Sequence, residues 1–179
     1  MRPTTWVALL RGINVGGKKR VAMSDLRALL ESLGYRDVGT YLQSGNAVFT
    51  SARGKAKELE GRIASAIHAE LGLDVKVLVR TATELTTVID ENPFATRRAD
   101  PKQLHVVFLS AAPASNKIAS VDRDRLAPDQ FEPGSRVLYL RLVNGIAGSR
   151  MPDWERALGL TATTRNWNTV TRLHALAAG

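Results

Sequence analysis

Val38-Gly39-Thr40-Tyr41-Leu42-Gln43-Ser44-Gly45-Asn46-Ala47-Val48-Phe49-Thr50 reads as two strands, Val38 to Gln43 and Ala47 to Thr50. The residues joining them, Ser44-Gly45-Asn46, tolerate positive φ and so favour a hairpin. The rest of the first half is arranged around this hairpin. Upstream, Ser24 is placed to cap a helix with Asp25 in its first turn, and Leu26, Leu29, Leu30 and Leu33 recur on one helical face before Gly34 ends it. Downstream, Leu59, Ile63, Ile67 and Leu71 stack at intervals of four over a helix from Lys55 to Leu71, which stops at Gly72. One further strand is expected at each end. Trp6-Val7-Ala8-Leu9-Leu10 is continuously apolar, which suits a strand buried on both faces. In Val75-Lys76-Val77-Leu78-Val79-Arg80 the three valines share one face. The order β-α-β-β-α-β is the ferredoxin-like plan, in which two helices cover one face of a four-stranded antiparallel sheet.

The second half is less regular. A helix from Thr83 carries Leu85, Val88 and Ile89 and is broken by Asn92-Pro93, and His105 to Leu109 forms the next strand. Ser115 is placed to cap a short helix through Ile118 and Val121. A short strand around Phe131 turns at Pro133-Gly134 into Val137 to Val143. Pro152 suits the first turn of a helix that closes at Gly159. A polar loop, Thr163 to Thr169, leads into a last helix from Asn166 to Leu176, with Trp167, Val170 and Leu173 on one side. This half can be taken as a divergent copy of the first, although no sequence repeat is visible. The expected organisation is thus a subdomain over residues 1–82 and a C-terminal subdomain over 83–179.

At 179 residues and 44% hydrophobic content the chain can build a sizeable core. It contains no cysteine, which removes disulfides, thiolate metal sites and cysteine nucleophiles, and suits a reducing cytoplasm. The apolar run at Trp6 to Leu10 is too short for a signal sequence, and no stretch approaches the roughly 18 apolar residues of a membrane span. The formal net charge is +8, with no acidic residue before Asp25 and none after Glu155. Positive charge concentrated in the terminal segments favours an acidic partner, either a phosphate-bearing small molecule or nucleic acid.

Three loops are candidates for contacting such a partner. In the first, Gly12-Ile13-Asn14-Val15-Gly16-Gly17-Lys18-Lys19 follows an apolar strand and matches a phosphate-binding loop in its first glycines and its lysine. The match fails where Lys19 stands in place of the Ser or Thr that ligands Mg²⁺, and Arg20-Val21-Ala22-Met23 separates the loop from the helix. A nest of backbone N–H groups ringed by Arg11, Lys18, Lys19 and Arg20 survives that objection. In the second, Thr163-Thr164-Arg165-Asn166-Trp167-Asn168-Thr169, Arg165 suits a phosphate or carboxylate and Asn168 a polar group, while Thr164 or Asn166 can equally cap a helix. The third is Gln43-Ser44-Gly45-Asn46, a hairpin tip near the first loop, which turn chemistry alone also explains. The candidate ligand-binding set is Arg11, Asn14, Gly16, Gly17, Lys18, Ser44, Asn46, Arg165, Asn166 and Asn168, on the supposition that Lys18 and Arg165 meet at one hollow.

Leu9 to Lys18, Tyr41 to Asn46, Asn92-Pro93-Phe94 and Thr163 to Thr169, in this order and over nearly the whole chain, resemble the bacterial family known as domain of unknown function 1697. The resemblance implies an α+β fold of two similar ferredoxin-like subdomains, with antiparallel sheets and helices packed on one face. It brings no catalytic residues with it.

Other chemistries find less support. His68, His105 and His174 each stand alone in sequence, so no metal is expected, and no cofactor motif is present. There is no Gly-x-Ser-x-Gly elbow and no dinucleotide fingerprint after the first strand. Phe49 is a single aromatic where a base-stacking RNA platform needs several. The topology also resembles that of acylphosphatases, and Arg11 with Asn46 imitates their arginine and water-positioning asparagine. A phosphohydrolase or phosphotransfer enzyme using Arg11, Lys18 and Asn46 is therefore the alternative to a binding module, and a purely structural role for the polar loops is the third reading.

Overall fold

The computed structural model describes residues 3–17 and 19–179. The chain divides into two compact units, one running to Leu85 and including Leu173–Gly179, the other Thr86–Arg172. Each holds a four-stranded antiparallel sheet.

The first unit follows the order β1 (Thr4–Leu10), α1 (Met23–Ser32), β2 (Arg36–Tyr41), β3 (Asn46–Ser51), α2 (Ala56–Leu71) and β4 (Val77–Thr81). The sheet order is β2-β3-β1-β4, so β1 is central and pairs with β3 and β4. The registers Trp6↔Phe49, Ala8↔Ala47 and Ala8↔Val79 put alternate residues of three strands on one face. That face packs against Leu26, Leu29 and Leu30 of α1 and Leu59, Ile63 and Ile67 of α2. Tyr35 stacks on Phe49 with ring centroids 4.6 Å apart. Each such apolar side chain withdrawn from water contributes roughly 1.5–3 kcal/mol before entropy is subtracted. On the opposite face Val7, Leu9, Val48, Leu78 and the 2%-exposed Arg80 are buried too, which is why β1 carries no polar residue between Trp6 and Leu10.

The second unit repeats the plan with β5 (Leu104–Leu109), α4 (Ser115–Ala119), β6 (Gln130–Gly134), β7 (Val137–Arg141), α5 (Trp154–Leu158) and β8 (Ala162–Asn166). Its sheet order, β6-β7-β5-β8, is the permutation of the first sheet. Val107, Leu109, Leu138 and Leu140 pack with Phe131, Trp154 and Leu158. The helix α3 (Ala82–Asp90) precedes this repeat and α6 (Trp167–Ala178) follows it. The chain is therefore an α+β protein of two similar ferredoxin-like subdomains. No helix among the described residues is long and apolar enough to cross a membrane.

Four local expectations need correction. The N-cap of α1 is Ala22 rather than Ser24, and no side chain caps that end. Ser115 is the first residue of α4, whose cap is Ala114. Pro152 precedes α5, which Asp153 caps by accepting hydrogen bonds from the backbone N–H groups of Glu155 and Arg156. Most important, Thr163 to Asn166 is not a loop: it belongs to β8, paired with β5 in the register Leu109↔Ala162 to His105↔Asn166.

Candidate functional site

The loop after β1 is held by one side chain. Asn14, in the left-handed region at φ 55, accepts a hydrogen bond from Val21 N at 2.9 Å and donates to Val21 O at 2.8 Å and to Gln43 O at 2.6 Å. Its own N–H donates to Lys19 O at 3.1 Å. The loop is thus closed at its base and fastened to the β2–β3 hairpin, where Leu10 N also donates to Gly45 O at 2.8 Å. On its other side it reaches the connection between α2 and β4. Arg11 N donates to Lys76 O at 2.9 Å, and Lys19 Nζ donates to Asp74 O at 2.5 Å. That connection turns back at Gly72, which ends α2 in the left-handed conformation at φ 65.

These fastenings leave a cleft of about 570 Å³ lined by Arg11, Lys19, Ala64, Ser65, His68, Asp74, Val75 and Lys76. Two cations from the loop after β1 and one from the approach to β4 share the lining with one carboxylate, and that carboxylate is engaged: Asp74 Oδ1 lies 2.9 Å from His68 Nδ1. The pair is open to water, with His68 65% and Asp74 91% exposed, so it adds little to stability. Its effect is on the character of the cleft, which keeps an excess of positive charge over a wall that Ala64 and Val75 make partly apolar.

Of the residues singled out from sequence, Arg11 lines this cleft and is half-buried. Asn14 is spent on closing the loop. Gly16 and Gly17 are exposed at φ 60 and 75, a conformation open to glycine at no steric cost, and a Cβ on either would meet nothing within 4 Å. Lys18 lies outside the described residues. Ser44 and Asn46 build the hairpin: Asn46 is buried and donates to Tyr41 O at 2.9 Å and to Ser44 Oγ at 3.0 Å. An amide so engaged is badly placed to orient a water for hydrolysis. Arg165 is 7% exposed, within β8, and its guanidinium donates to Thr163 Oγ1 at 2.7 Å and Thr164 O at 2.9 Å. Burial lowers its pKa to about 10. Asn166 caps α6 by accepting from Thr169 N at 2.8 Å, and the Asn168 carbonyl accepts from Thr171 Oγ1 at 3.1 Å.

The supposed meeting of Lys18 with Arg165 rests on Lys18, which lies outside the described residues. Arg11, Lys19 and Lys76 line one cleft. Ser65, His68, Asp74 and Lys76 were not in the candidate set, and His68, which looked solitary in sequence, has a carboxylate partner. The signal that points to them is topological: β4 lies beside β1, so the residue after β1 and those leading into β4 must be neighbours.

Comparison with known proteins supplies relatives but no activity. No curated protein matches the chain. A solved structure, that of a conserved bacterial protein from Streptococcus pneumoniae, superposes with a TM-score of 0.77, covering 98% of this chain and 99% of that one at 21% identity. At that identity the likeness is one of fold. The family described as "Protein of unknown function (DUF1697)" matches residues 3–139, most of the sequence, and the chain belongs to that family.

Proposed function

We propose that the protein binds a phosphate-bearing anion in the cleft between the end of β1 and the C-terminal half of α2. The observation that carries this reading is the set of Arg11, Lys19 and Lys76 around one concavity whose single carboxylate is already engaged by His68. A guanidinium and two ammonium groups complement the oxygens of a phosphate in charge and as hydrogen-bond donors. A volume of about 570 Å³ falls in the range of small-molecule sites, which favours a compound of about nucleotide size.

Calorimetric titration of the full chain with inorganic phosphate, a nucleoside monophosphate, and short DNA and RNA, each at low and high salt, tests the proposal. Saturable binding of the small phosphates that weakens with salt, and falls roughly tenfold in Arg11→Gln, is the expected result. No binding of any of them by folded protein removes the reading. The net charge of +8 and the acid-free terminal segments favour a second reading, a nucleic-acid partner. Oligonucleotides binding far more tightly than the mononucleotide, with a steep salt dependence, would select it.

A further inference from the structure

The geometry points to His68 as a phosphoryl-accepting nucleophile acting on small phosphomonoesters or acyl phosphates, an inference that rests on the anion-binding reading above. Its Nδ1 is 2.9 Å from Asp74 Oδ1. When Nδ1–H is donated to that carboxylate, the lone pair of the neutral ring resides on Nε2. His68 sits near the end of α2, where 65% exposure leaves the ring reachable, and it lines the same cleft as Arg11, Lys19 and Lys76. Asp74 is steadied in turn by Lys19, whose ammonium group grips its backbone carbonyl. An oriented imidazole beside three cations combines the two things phosphoryl transfer asks of side chains: an electron pair to accept phosphorus, and positive charge over the phosphoryl oxygens.

In the first step the Nε2 lone pair attacks phosphorus, the P–N bond forms, and the bond to the leaving oxygen breaks. The leaving oxygen takes a proton from solvent, or departs as a carboxylate when the donor is an acyl phosphate. The ring becomes an N-phosphorylated imidazolium whose charge Asp74 faces. Water then adds to phosphorus, the P–N electrons return to Nε2, and a proton from the water passes to solvent. The net reaction is hydrolysis to inorganic phosphate.

The test uses the full chain with acetyl phosphate and with p-nitrophenyl phosphate, phosphate binding being titrated on the same samples. The wild type is expected to gain one phosphoryl group by intact mass, labile to acid and stable to alkali as a P–N bond requires. His68→Gln abolishes the label, Asp74→Asn slows its formation roughly tenfold or more, and His174→Gln keeps it. A folded wild type that binds phosphate yet takes no label overturns the inference and leaves the binding reading standing. An acid-stable label, or one that persists in His68→Gln, also overturns it. Absence of phosphate binding overturns both. Because His68 is largely exposed, His68→Gln is expected to fold, and an unchanged circular dichroism melt verifies this.

Discussion

The side-chain amide of Asn14 donates to the backbone carbonyl of Gln43 at 2.6 Å, across 29 positions of sequence. The same side chain brackets Val21 through its own N–H and C=O, so one residue sets both the closure of the loop after β1 and its distance from the hairpin. Arg11 and Lys19 lie on either side of Asn14 and enter the cleft from this loop. Asn14→Ala removes three hydrogen bonds and places a residue less tolerant of the left-handed region at φ 55. The expected loss is about 2 kcal/mol, or a Tm lower by about 4–8 °C, with weaker phosphate binding. A melt indistinguishable from wild type would show that the loop is held by other means.

Gly45 answers to the same junction from the hairpin side. It lies at φ +81, and a Cβ there would stand 2.7 Å from Ile13 Cδ1 and 2.8 Å from Leu10 Cβ. Gly45→Ala therefore combines backbone strain with a collision against the β1 end, and about 2–4 kcal/mol of destabilisation is expected by urea denaturation. Gly16→Ala, with no such neighbours, carries only the conformational penalty, so Gly45→Ala should be clearly the worse of the two.

His105 makes the second unit sensitive to acid. Burial lowers its pKa from 6.5, and the Gln103 backbone opposes the shift in part. Because the unfolded chain takes up the proton more readily, stability is full above pH 6.5 and falls as pH drops through 6.5 toward the lower folded value. Each pH unit of that window is worth at most about 1.4 kcal/mol. Urea midpoints at pH 7.5 and pH 5, compared between wild type and His105→Leu, check this: the variant should show a smaller drop.

Tyr139 sets the corresponding limit in alkali. Burial, and secondarily the charge of Glu91, raise its pKa from 10.0 to about 12. The unfolded chain loses that proton first, so the contribution is intact below pH 10 and declines as pH rises toward 12. Tyr139→Phe should flatten the fall in Tm between pH 9.5 and 11. An equally steep fall in the variant would assign the alkaline limit to other groups.

What was legible in the sequence divides along the line between local and non-local causes. The leucine and isoleucine stripes of α1 and α2 are local periodicities, and the unbroken apolar run at Trp6 to Leu10 foretells burial on both faces of β1, which Val7 and Leu9 show. β8 escaped because its buried side chains include Thr163 and Arg165, and a polar pattern does not announce a strand whose identity comes from pairing with β5. The cleft escaped for a similar reason. Lys19 and Lys76 are distant in sequence and line one cleft because β4 adds to the sheet beside β1. His68 and Asp74 lie on either side of a helix end, and only the left-handed turn at Gly72 brings the carboxylate back alongside the ring. Asn46 and Asn166 were legible as polar residues at a turn and a helix cap, and their hydrogen bonds place them there.

Leu173–Gly179 belongs to the same compact unit as the segment that ends at Leu85. During synthesis, every strand of the first sheet is translated before Thr86–Arg172, yet the unit still lacks its last piece. An early-emerging half must therefore wait, incompletely covered, for the tail. A fragment stopped at Leu85 is accordingly a poorer folding unit than its complete strand complement suggests, whereas supplying residues 173–179 in trans or through a short linker should restore part of its cooperativity.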